Sequence, residues 1–332
     1  MEWYYILLIC LLSLFVLCLI IIVVLNIVLI NIFLVRKKPK NEKNNDALME
    51  DLGGGWSEYF HIMDETKKLY SEITPRELEL KYKDGKIRRG YFYENKNSDI
   101  LIVFAHGWTS ESFENLGYVG RFAINNGYNV LAVDAKGHGK SEGKLFGFAV
   151  SDYDALCEWC KYINSISDKK YHIFLHGVSM GGATVLYCSD KNIDGLDGII
   201  DDCGFTSPWE EFYHGLLKYV KSKSLAKFIL STINIIGRLF LKMNIKLNTK
   251  DCVMHSNVPI LFIHGDKDDF VPTFMSIDNY NSAINNGHEN ELWITEGCRH
   301  GTSCFDKIDE YEMRIVKFIN KNKKEVNIWK NG

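Results

Sequence analysis

The sequence predicts an α/β protein: a mostly parallel, doubly wound sheet with an inserted helical cap, preceded by one N-terminal transmembrane helix. Three observations predict it. From residue 99 onward, short continuously apolar runs alternate with amphipathic stretches, the pattern of parallel strands covered on both faces by helices. One interval between two such runs, about 205–257, is too long for a simple crossover. Finally, Tyr5 to Val35 carries no charged side chain.

That first apolar run exceeds the roughly 20 residues a membrane span needs, so the helix is expected to tilt or to project, with Asn26 and Asn31 near one end. A cleaved signal peptide would want a basic start, a short apolar centre and a small-residue cleavage site, and the sequence offers none of these. Trp3, Tyr4 and Tyr5 stand where an interfacial aromatic belt would, and Arg36, Lys37, Lys38 and Lys40 follow the run at once. The positive-inside rule then predicts a single-pass membrane protein with its large C-terminal part in the cytoplasm.

The next stretch, 36–54, is polar and ends in glycines, as a juxtamembrane linker would, and a globular domain is expected over 55–332. It opens with a helical pattern over 56–73 and two alternating runs joined by Asp84-Gly85, a hairpin signal. Parallel strands are read at 99–105, 129–135, 171–177, 196–202, 258–265 and 289–297. Between the fourth and fifth, the segment "SLAKFILSTINIIGRLFLKM" is apolar on more than one helical face. It reads as a cap roofing a pocket or as a pair of ordinary packing helices.

Composition narrows the function classes. Hydrophobic residues at 46% are enough for a substantial core, and a net charge of -3 gives no broad basic surface, which argues against nucleic acid as a partner. Cys10 and Cys18 lie in the apolar run, leaving seven irregularly spaced cysteines, which is no disulfide framework. Cys157 and Cys160 form C-x-x-C, but Leu156, Cys160 and Ile163 share helical spacing, so core packing is expected there.

Gly177-Val178-Ser179-Met180-Gly181 follows a buried strand and precedes a helix-forming run of small residues. This strand, turn and helix context holds a serine Oγ in the open, and the glycines let the two elements approach closely. A serine nucleophile needs a base oriented by a carboxylate. His300 lies just past the last strand, and Asp268 just past an earlier one in "IHGDKDDFVP", both on the carboxyl edge where Ser179 sits. Asp266, Asp269, Asp201 and Asp202 are neighbouring alternatives for the acid; the spacing G-x-x-D-x-x-V-P favours Asp268. Backbone N–H groups of Trp108, after the first parallel strand, and Met180, after the nucleophile, are placed to form an oxyanion hole. The Trp108 side chain either shapes an acyl pocket or is structural.

Other histidines have plainer expectations. His106 and His264 end strands and are expected to bond the backbone of neighbouring loops, and His138 belongs to a Gly-rich turn that lacks phosphate-loop spacing. His176, just before the nucleophile turn, reads as a supporting side chain rather than a base.

Taken together, "HGW", "DAKGHGKSEG", "GVSMGG", "HGDKDDFVP" and "RHG" give residues 75–322 a resemblance to the α/β-hydrolase superfamily. "LHGVSMGGATVL" and "DDCGFTSPWEEF" resemble its cinnamoyl-esterase-like and BEM46-like serine hydrolases. The resemblance implies Ser179 as nucleophile, Asp268 as acid, His300 as base, Trp108 and Met180 at the oxyanion positions, and no metal or organic cofactor. A serine nucleophile departs from the dehalogenase branch, which uses aspartate. The histidine loop also departs from the frequent G-x-G-H pattern, since it reads Gly297-Cys298-Arg299-His300. Arg299 then either biases the site toward anionic substrates or faces solvent. The expected activity is hydrolysis of carboxylic esters, acyl or lipid-like, through an acyl-enzyme. An aminopeptidase-like serine peptidase, marked by acidic side chains holding a substrate amine, and a non-catalytic membrane adaptor are the alternatives.

Overall fold

The computed structural model describes residues 3–36 and 56–324. The linker expected over 36–54 lies, apart from Arg36, outside the described residues, as do Lys37, Lys38 and Lys40. Helix α1 spans Trp3–Phe33, as its unbroken apolar composition dictates. A short 3₁₀ turn, Trp56–Tyr59, leads into α2, Phe60–Ser71. Strands β1, Arg76–Lys81, and β2, Ile87–Tyr93, pair antiparallel across the Asp84-Gly85 turn, where Gly85 takes φ 78°, a conformation that favours glycine.

Six further strands follow: β3 Ile100–Ala105, β4 Asn129–Val133, β5 His172–Val178, β6 Leu196–Asp202, β7 Ile260–Gly265 and β8 Glu291–Thr295. The sheet order is β1-β2-β4-β3-β5-β6-β7-β8, antiparallel through β4 and parallel from there on. Alternate residues of β3 show why these strands read as continuous apolar runs. Leu101 and Val103 enter the core on one face with Trp159, while Ile102 and Phe104 enter the other with Phe122 and Phe318.

Helices α3, Ser112–Val119, and α4, Arg121–Asn125, follow β3; α5, Tyr153–Ile166, follows β4; and α6, Met180–Tyr187, follows β5. Cys157 and Cys160 are both buried in α5, in keeping with a packing role. Between β6 and β7 stand α7, Pro208–Leu217, α8, Lys223–Ile236, continued by a π turn over Gly237–Leu241, and α9, Thr249–Met254. Ser207 and Ser222 cap α7 and α8 by accepting from Glu210 N and Leu225 N. Three more helices complete the domain: α10 Phe274–Ala283, α11 Ser303–Asp306 and α12 Ile308–Asn322.

The excess length of α1 has a structural use. Residues 3–21 are exposed throughout, whereas Ile22, Asn26, Leu29, Ile30, Phe33 and Leu34 are covered at a helical repeat that runs along one face. Asn26 Nδ2 donates to Thr232 Oγ1 of α8 at 2.9 Å. Beyond the helix, Val35 bridges Leu145, Phe146 N donates to Leu34 O, and the Arg36 guanidinium donates to the carbonyls of Ser141 and Gly139.

Candidate active site

Ser179 sits on the turn between β5 and α6 with φ 57° and ψ -116°, and its N–H donates to Asp202 O at 2.8 Å. The flanking glycines are dictated by crowding. A Cβ on Gly177 would lie 2.1 Å from Gly181 O, and one on Gly181 would lie 2.0 Å from Ala105 O. Thr109 and Cys203, just past β3 and β6, also adopt positive φ, so three strained residues line one stretch of the sheet's carboxyl edge.

The structure brings Ser179, His300 and Asp268 together. His300 Nε2 lies 2.9 Å from Ser179 Oγ, and His300 Nδ1 lies 2.7 Å from Asp268 Oδ2. Asp268 Oδ1 accepts from the N–H groups of Phe270 and Val271 at 2.9 and 2.8 Å. Burial opposes the Asp268 charge, but the His300 charge and hydrogen bonds from His264 and His300 outweigh it and hold the carboxyl well below the usual range. An ionised Asp268 fixes the proton on His300 Nδ1 and leaves Nε2 to accept from Ser179. The loops carrying acid and histidine are tied together, since Lys267 N donates to Cys298 O and Gly297 N to Asp266 Oδ1.

The other acids have different partners. Asp266 serves that loop tie, and the Asp269 carbonyl accepts from Lys218 Nζ. Asp201 accepts from Gly204 N, and Asp202 from Tyr311 Oη. Burial raises Asp201 to about 7 and Asp202 to about 6.

The backbone at 107–108 lies against the serine: a Cβ on Gly107 would stand 3.7 Å from Ser179 Cβ. Met180 opens α6 on the other side. The Trp108 indole is buried and donates through Nε1 to Phe33 O of α1 at 3.1 Å. Around it gathers an apolar wall that includes Phe148, Met180, Phe205 and Met243, with Phe33 and Phe212 packed on it. The ring centroids of Phe33 and Phe212 are 5.4 Å apart, and those of Phe212 and Phe148 4.6 Å.

His106 and His138 behave as strand-end and turn histidines. His106 accepts from Ala135 N, and His138 contacts Lys136 O and stacks on Phe146. His176 turns to Tyr311 Oη at 3.0 Å. His264 does bond the backbone at Val271 O, but its Nε2 is also 3.0 Å from Asp268 Oδ2, a second histidine on the same carboxylate. Burial opposes its charge; Asp268 prevails and raises its pKa. The signal for this was the i, i+4 pair across the strand end.

Trp56 is a residue that motif reading misses. Its Nε1 donates to His300 O at 2.8 Å, and its ring stacks at 6.2 Å from the imidazole. Arg299 pairs with Glu58 in the same segment. Cys203, Asp268 and His300 bring potential metal ligands within 4.8 Å of one another, but the last two are already bound to each other.

The chain is similar to several known proteins. A family model described as serine aminopeptidase matches residues 96–247. The uncharacterized Bacillus subtilis protein YqkD is 25% identical over 237 residues, 70% of this chain and 74% of its own length. The uncharacterized Saccharomyces cerevisiae membrane protein YNL320W is 27% identical over 191 residues, 54% of this chain and 57% of its length. A Pyrococcus furiosus esterase, Pf2001, superposes with a TM-score of 0.64 at 22% identity, covering 78% of this chain and 94% of that one. The fold is the α/β-hydrolase fold, and the family-model match supports a hydrolase.

Proposed function

We propose that this chain is a membrane-anchored serine hydrolase that cleaves carboxylic esters of acyl or lipid-like substrates, with its catalytic domain in the cytoplasm. One observation carries the reading: the continuous chain from Ser179 Oγ through His300 to Asp268, buried at the carboxyl edge of the sheet. In the reaction, Ser179 Oγ bonds to the ester carbonyl carbon while His300 Nε2 takes its proton. Asp268 stabilises the imidazolium, and the N–H groups of Trp108 and Met180 receive the oxyanion. His300 passes the proton to the departing alkoxide, then takes one from the water that attacks the acyl-enzyme and returns it to Ser179 Oγ as the acid leaves.

The apolar cluster that includes Trp108 and Met180, both next to Ser179, supports an acyl chain as the group recognised. Membrane anchoring is supported by the uncovered residues 3–21 of α1, whose length suits a bilayer core. The test is hydrolysis of p-nitrophenyl esters of increasing chain length by the full chain and by Ser179→Ala. Activity that rises with chain length and vanishes in the variant is expected; turnover that persists in the variant contradicts the serine mechanism.

A peptidase reading has its own observation. Glu211 of α7 is buried, and burial followed by the nearby Asp268 charge raises its pKa well above the ordinary value. So raised, the carboxyl is held neutral; a substrate ammonium group placed there would restore its charge, which makes Glu211 a candidate receptor. Faster turnover of aminoacyl p-nitroanilides than of esters, lost in Glu211→Gln, would move this reading ahead.

A further inference from the structure

Helix α8 is apolar on two opposite sides. Ala226, Ile229, Leu230 and Asn234 are buried against the domain, as in any packed helix. On the other side Leu225, Phe228, Ile235, Leu239 and Phe240 are exposed, the last two at 70% and 76%. A helix bathed in water carries polar residues there, and an exposed apolar patch of this kind marks a binding surface.

Two observations say what covers it. The first is continuity with α1, because Asn26 of α1 and Thr232 of α8 are hydrogen-bonded, and burial of α1 begins only at Ile22. The freely exposed part of α1 therefore ends about where it meets α8. The second is charge. No acidic residue occurs between Glu211 and Asp251 in a chain of net charge -3, while Lys221, Lys223, Lys227, Arg238 and Lys242 are all exposed around the apolar face. Apolar side chains bordered by lysine and arginine are what a helix lying in an anionic membrane surface presents.

We propose that the outer face of α8 and its π turn rests in the same bilayer that α1 spans. This rests on the membrane-anchor reading above. The domain then touches the membrane twice, and the aromatic seam of Phe33 and Phe212 between anchor and cap lies at the lipid boundary. An acyl chain reaches Ser179 along that seam directly from the bilayer, without passing through water.

Nitroxide labelling of the full chain in phosphatidylcholine and phosphatidylserine vesicles tests this. With Cys10 and Cys18 replaced by alanine, the remaining native cysteines are buried, so Phe228→Cys, Phe240→Cys and, as an aqueous reference on α12, Met313→Cys give single sites. A chain retaining only Cys18 of the first two reports on α1. Labels at 228 and 240 are expected to collide with oxygen more than with a nickel chelate, as at 18, and the label at 313 to show the reverse. Aqueous behaviour at 228 and 240 with lipid behaviour at 18 overturns the proposal alone. Aqueous behaviour at 18 overturns the membrane anchor as well. Shielding of 228 and 240 from both reagents means a second copy covers the face, and also overturns it. Phe240→Glu is expected to slow turnover of a long-chain ester held in vesicles about tenfold, the scale of one apolar side chain leaving the membrane, with a soluble acetate ester unaffected. Unchanged turnover of the vesicle ester contradicts the proposal.

Discussion

The carboxyl edge of the sheet and the seam between α1 and the cap lie side by side, yet they are held in different ways. At the sheet edge, Ser179, His300 and Asp268 are fixed by directional hydrogen bonds, with two backbone N–H groups on Asp268 Oδ1 and a second histidine on Oδ2. At the seam, Phe33, Phe212 and Phe148 meet through ring contacts, and Asn26 of α1 is hydrogen-bonded to Thr232 of α8. Hydrogen bonds lose strength steeply with misalignment, whereas apolar contact is non-directional. The first region is thus held at fixed angles, while the second can shift without losing its contacts.

Substitutions should separate the two regions, beginning with the largest effect. Ser179→Ala is expected to lower ester turnover by about 10⁶-fold without altering membrane association, checked by steady-state kinetics on the full chain. Asp268→Asn should cost about 10⁴-fold in kcat at every chain length, because the imidazole loses its orientation and its counter-charge. Phe33→Ala should act differently, lowering kcat/KM for long-chain esters about tenfold while leaving acetate esters nearly unchanged. An equal loss on both substrates would place Phe33 outside the acyl path.

The smallest effect concerns stability. Burial raises Asp201 to about 7, against about 3.9 in an unfolded chain. The folded protein therefore holds a proton that the unfolded chain releases between those values, and this group's contribution to stability falls as pH rises from about 4 to about 7. Asp201→Asn removes that dependence. Its Tm relative to wild type should be higher at about pH 8 than at about pH 5 by a few degrees, followed by thermal unfolding.

The inner parallel strands are legible in the sequence because they are buried on both faces and so read as apolar runs; β3 over Ile100–Ala105 is an example, whereas β8 at the sheet edge is only partly buried. Ser179 stands out because its glycines are required by contacts as close as 2.0 Å. The docking of α1 is not legible in the same way. Its composition is apolar on every side, so no periodicity marks Ile30, Phe33 and Leu34 as the residues that pack against the domain. Asn26 was the available signal, a polar group within an apolar helix that needs a partner, and its partner Thr232 is 206 residues away. Trp56 is likewise silent in the sequence, since its bond to His300 O depends on how the preceding segment crosses the histidine loop.

The most direct measurement is mass-spectrometric mapping of the adduct formed when the full chain reacts with a fluorophosphonate. A single phosphonyl group on Ser179, absent from Ser179→Ala and sharply slowed in His300→Ala, is the predicted result. A folded wild-type protein that forms no adduct, or forms one on another residue, would contradict a serine hydrolase built on Ser179.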